Sequence, residues 1–231
     1  MTTPLSTPAL AGAPTWEQRL FKIALLIGRV GLAYLFFSQL FWKLPPHFGC
    51  GDGPFTFTST NADGQLVRAA GLCDWLGVES VYAQQERSFF ATDFNNDGSP
   101  EIGFGLGLPV ALNGAFVDNV VIPNIGLFGW LIWLAEAFIA VSLFFGIFSR
   151  LGALVSLGIS LQLMLGLAGA WDPVADLQEW EWTYHMIVLM SIVMLGLAPG
   201  RIWGVDAWLR PRLAAAVAKG SGFARWLLVL T

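Results

Sequence analysis

Leu20-Phe-Lys-Ile-Ala-Leu-Leu-Ile-Gly-Arg-Val-Gly-Leu-Ala-Tyr-Leu-Phe-Phe-Ser-Gln-Leu-Phe-Trp42, followed at once by Lys43, decides the fold. The run exceeds the about 20 mainly apolar residues that a helix needs to cross the hydrocarbon of a bilayer. Arg29 stands near its midpoint. On insertion scales an arginine there costs about 2.5–3.5 kcal/mol, so it must face protein or water and have a partner. The one acid inside a later apolar run is Glu136. Counting ~1.5 Å per residue from the inner ends puts Arg29 ~14 Å and Glu136 ~20 Å deep, so a buried Arg29–Glu136 ion pair is expected. Such a pair either fixes helix register or shapes a polar pocket that binds a headgroup or relays a proton, and the sequence leaves both open.

Composition agrees with a membrane protein: 55% of the 231 residues are hydrophobic and 12% charged. The polar opening has no basic n-region and no small-residue cleavage site follows the apolar run, so the first span reads as an uncleaved anchor. Further apolar runs cover 125–148, 151–170 and 183–199, the last short and leaning on flanking aromatics. The expected fold is therefore an all-α membrane protein, a four-transmembrane-helix bundle with a small extracytoplasmic domain inserted between helices 1 and 2. In chain order this gives a cytoplasmic segment (1–19), helix 1 (20–43), the extracytoplasmic domain (44–124), helices 2–4 (125–199) and a cytoplasmic amphipathic tail (200–231).

Charge sorting sets the orientation. Eight of the twelve basic residues fall on one side of the spans, while thirteen of the sixteen acids fall on the other. Lys and Arg stay in the cytoplasm, so both termini are expected inside and 44–124 outside a prokaryotic plasma (inner) membrane. In the third span Gly152, Ser156 and Ser160 recur at four-residue steps, which lets helix backbones approach closely in lipid. The basic, apolar tail suits anionic lipid headgroups or a partner subunit.

Several groups could carry chemistry. A histidine side chain titrates near neutral pH, so His185 could exchange the redox-linked proton of a quinone, with Tyr184 beside it and Gln39 at a comparable outer depth. Gln162 either reaches inward or bonds a neighbouring helix. In Asp93-Phe-Asn95-Asn-Asp97-Gly98-Ser99-Pro-Glu101, oxygen ligands alternate and Gly marks the sharp turn. That is the first part of a calcium loop, but Phe104 occupies the twelfth position where Glu is usual, so an Asx-rich turn is the alternative. Cys50 and Cys73 share the oxidising side and fit no zinc or redox spacing, so a disulfide is expected. No basic stripe with interleaved aromatics suggests nucleic acid, and no haem motif or metal-ligating His pair suggests a redox centre of its own.

Arg29 and Lys43 in span one, Glu136 followed by Gly146 and Arg150-Leu-Gly-Ala-Leu, and the closing Pro199-Gly-Arg-Ile-Trp-Gly-Val-Asp206 together resemble the DoxX/DoxD family. Its members are four-helix membrane proteins with an Arg in the first helix, a Glu in the second and a Gly-Arg exit ending in Asp. The closing motif leans toward the DoxD branch, the small membrane subunit of thiosulfate:quinone oxidoreductase. The segment 44–124 is longer than that pattern. The resemblance implies a subunit of a quinone-linked oxidoreductase, with Arg29 and Glu136 shaping a quinone pocket, His185 handling protons and Gln39, Tyr184 and Gln162 contacting the headgroup. A non-catalytic accessory subunit of a larger respiratory or photosynthetic complex is the rival expectation.

Overall fold

The computed structural model describes residues 14–50, 71–84, 88–92, 102–168 and 178–231. Helix α1 (Thr15–Gln39) runs on through a 3₁₀ turn at Phe41–Lys43. Its buried residues, Leu25, Arg29, Leu32, Ala33 and Phe36, recur at steps of three and four and form one stripe toward the bundle. None of the described residues before Leu25 is buried, although Phe21 packs against the bundle core.

The second long element begins earlier than expected. Helix α3 (Gly107–Phe116) passes through a wide π turn (Val117–Val121) and a 3₁₀ turn (Ile122–Asn124) into helix α4 (Ile125–Phe145). Residues 107–124 therefore belong to a helical rod, not to a polar segment ending at 124. They carry a single charge, Asp118, and their Gly and Pro residues mislead. Pro109 lies in the first turn of α3, where a missing N–H is tolerated, and the carbonyl four residues before Pro123 falls in the π turn, which absorbs the ring.

Helix α5 (Ser149–Leu167) follows a tight turn at Gly146–Phe148, and helix α6 (Gln178–Leu197) packs along it. Gly152, Ala153, Ser156 and Ser160 of α5 are buried, and Ser156 Oγ lies 2.7 Å from Ser191 Oγ of α6. This is the close small-residue packing expected in lipid. Among the described residues, three stretches are long and apolar enough to cross a membrane: Thr15–Lys43, Gly107–Phe145 and Ser149–Leu167. The apolar stretch Thr183–Leu197 is shorter.

At the far end, helices α7 (Val205–Ala218) and α8 (Gly222–Leu230) fold back. Ser221 Oγ caps α8 by accepting from Ala224 N, and Phe223, Trp226 and Val229 form an exposed apolar stripe. Arg201 and Arg210 donate to the Thr231 carbonyl at the end of α8. Burial, helped by the like charges of Arg210 and Arg150, lowers the Arg201 guanidinium from its usual value to about 10.

The segment between the first two spans is not wholly helical. It contributes helix α2 (Leu72–Tyr82) and an antiparallel pair, β1 (Ser88–Thr92) with β2 (Ile102–Gly105), in the register Ser88–Gly105 and Phe89–Phe104. Cys50 and Cys73 form the expected disulfide, with a Cα–Cα distance of 5.4 Å. Around the disulfide, Phe48, Cys50, Leu72, Cys73 and Leu76 form a core with Val117, Val121 and Ile125 of the rod. Val78 and Tyr82 of α2 and Phe89 of β1 share another with Leu167 of α5 and Tyr184 of α6. It forms a layer seated on the bundle.

Candidate functional site

Where that layer meets the bundle, α1, α2, α4, α5 and α6 enclose a cavity of about 870 Å³. Its walls are largely apolar, with Phe36, Leu76, Phe128, Ile132 and Ile159 among them. That size and character suit a small-molecule site, in which a few polar groups fix orientation.

The polar groups fall in two places. Lys43, at the end of the first span, turns inward and its Nζ donates to Glu136 Oε1 of α4. Both side chains are buried, at 6% and 2% exposure, and Lys43 also lies over the Trp42 ring at 4.6 Å. A charge pair taken this far out of water is seldom a net gain in stability, but losing one partner is strongly destabilising. Across the cavity, Gln162 of α5 donates to Glu79 of α2 and ties the outer layer to the bundle. Glu136 Oε2 and Ser160 Oγ, on two residues that line the cavity, have no hydrogen-bond partner among the described residues.

The expected Arg29–Glu136 pair does not form. Arg29 lies at the other end of the bundle, donating to the carbonyls of Pro199 (3.3 Å), Ile202 (3.4 Å) and Trp203 (3.3 Å). These carbonyls face Arg29 because the chain leaves the helix at Pro199 and folds back under α1, Pro199 O also accepting from Ile202 N at 3.1 Å. The opposite charge nearby is Asp206. Its carboxylate is fully buried and accepts from Phe148 N (2.7 Å), Ser149 N (2.8 Å) and Ser149 Oγ (2.7 Å), capping the start of α5. Its own N–H donates to Gly146 O at 2.8 Å. Gly146 has φ of 63°, and an added Cβ would run into Arg29 Nη1 and Gly204. At Gly200 a Cβ would strike Asp206 and Ser149. The depth count failed because Arg29 is level with the turn that follows α6, whereas Glu136 is level with Lys43 at the opposite end of the first span.

The other candidate residues divide. Gln39 lines the cavity and accepts from Trp42 Nε1 at 2.9 Å. Tyr184 and Gln162 line it too. His185 points elsewhere: it is buried against β1, with its ring 3.9 Å from Phe90 and 6.2 Å from Phe89, and is not among the lining residues. His185 lies on the side of α6 that meets β1, which turns its ring to Phe89 and Phe90 while Tyr184 lines the cavity. The calcium candidates Asp93, Asn95, Asp97, Ser99 and Glu101 lie outside the described residues. Sequence reasoning passed over Lys43, Glu79 and Ser160. Lys43 follows an interfacial Trp and reads as an anchor; its signal was the lack of any other cation near the outer half of the span.

No protein-family signature, characterised protein sequence or solved structure matches this chain.

Proposed function

We propose that this chain is a DoxX/DoxD-like integral membrane subunit of a quinone-linked oxidoreductase, with the cavity as its quinone pocket. One observation carries the reading: a buried Lys43–Glu136 ion pair faces a largely apolar cavity large enough for a substituted ring. A quinone headgroup needs that combination, an apolar slot for ring and tail and a few buried donors at the carbonyl oxygens. Lys43 and Ser160 are the donors here, and Gln39 and Tyr184 line the same space. In this reading a quinone accepts two electrons and two protons, and the chain's part is to hold its oxygens and exclude water. The electron donor belongs to another subunit. Thr183–Leu197 is the fourth span, the membrane is a prokaryotic plasma membrane, the termini are cytoplasmic and the disulfide-bearing layer lies outside.

The accessory-subunit reading has one observation in its favour, an exposed apolar patch of Phe90, Ile102 and Phe104 on the hairpin. One experiment separates the two. Lys43→Leu with Glu136→Leu removes the pair together and should still assemble. Loss of quinone reduction in the native complex supports the pocket, and full turnover with the double variant transfers the chain to the accessory class.

A further inference from the structure

Resting on that reading, we infer that the cavity binds the reduced, hydroxyl-bearing headgroup (a quinol) more tightly than the oxidised one, and that Glu136 sets the preference. The two orphaned buried atoms argue for it. Glu136 gives one carboxylate oxygen to Lys43 and keeps Oε2 with no donor among the described residues, although its side chain is 2% exposed. A carboxylate only accepts hydrogen bonds, and a buried acceptor left without a donor costs free energy.

The oxidised headgroup presents two carbonyls, which are acceptors as well. It can take the remaining N–H groups of Lys43 or the Ser160 hydroxyl, but it supplies nothing to Glu136 Oε2 and sets oxygen against oxygen. The reduced headgroup presents two O–H donors. One satisfies Oε2, while its oxygen still accepts from Lys43 or Ser160. Ser160 Oγ, at 0% exposure, both donates and accepts and so serves either form. Of the two forms, only the reduced one supplies a donor to Glu136 Oε2.

A hydrogen bond to a charged, desolvated group corresponds to at least about tenfold in affinity. A tenfold preference for the reduced form raises the potential of the bound two-electron couple by about 30 mV. The bound quinone is then a better electron acceptor than the free pool, which directs the site toward quinone reduction.

The test is anaerobic isothermal titration of decylubiquinone and decylubiquinol into the full chain in lipid nanodiscs. The expected result is at least tenfold tighter binding of the quinol. Lys43→Met with Glu136→Leu should bring the two affinities within twofold, and Ser160→Ala should weaken both forms alike. Equal affinities in the unmodified chain overturn this inference and leave the pocket standing. Binding of neither form overturns the pocket and the inference together. A preference that survives loss of Glu136 removes its assignment to that residue. The ratio in the unmodified chain decides the question even if the double variant fails to accumulate.

Discussion

Two buried charge clusters stand at opposite ends of the bundle and are built in different ways. At the end that carries the disulfide layer, Lys43 and Glu136 complete each other, one side chain against one side chain, beside an open cavity. At the opposite end Arg29 and Asp206 answer backbone: Arg29 gathers three carbonyls, Asp206 gathers two N–H groups and a hydroxyl, and glycines fill the space between. The first arrangement is exchangeable as a unit, whereas the second ties chain ends together and has no simpler substitute. On the proposed reading, function belongs with the exchangeable pair and folding with the knot.

Double variants test this contrast most directly. Arg29→Leu or Asp206→Leu should each cost about 3–5 kcal/mol, and combining them should restore nothing, because the carbonyls and N–H groups stay unanswered. Lys43→Leu or Glu136→Leu should cost about as much singly, but together should return close to the unmodified stability. Folded yield by fluorescence-detected size exclusion, with melting temperatures, reads both cycles. Rescue at both ends would dissolve the distinction.

The resemblance residues look different against this background. Arg29, Gly146 and the Pro199–Asp206 exit converge in the knot. Their spacing was legible because it builds the fold. The partner exchange was not legible, because periodicity reports which face a residue occupies but not where a neighbouring chain turns back. Arg29 met carbonyls that face it only after Pro199 ends a helix. The Cys50–Cys73 pair needed only a count of two and a compartment. The β1–β2 hairpin was missed because its strands are four and five residues long, too short for alternation to show.

Smaller effects sharpen the picture. Cys50→Ser with Cys73→Ser should remove about 3 kcal/mol of loop-closure stabilisation from the outer layer, visible as a lower melting temperature that reductant no longer shifts. The knot should show no such redox sensitivity. Gly146→Ala, forced into a positive φ and against Arg29, should lose about 1–3 kcal/mol by the same assay. Ser156→Ala breaks the hydroxyl contact to Ser191 between the clusters and should cost only about 0.6 kcal/mol, measured by reversible unfolding in mixed micelles.

The wide turn at Val117–Val121 sets an angular phase between the two halves of the rod. One extra residue in a helical turn rotates everything beyond it by about 100°. Upstream, Val110 and Gly114 are buried, Gly114 closely backing Ala83; downstream, Gly129 backs the Phe48 ring and Glu136 meets Lys43. Deleting a single residue from the turn would leave a longer, more regular helix and every side chain intact. It would nonetheless swing the upstream half out of phase, so that the roof over the cavity lost its seat. The rod works as a keyed shaft, and the key is one residue wide.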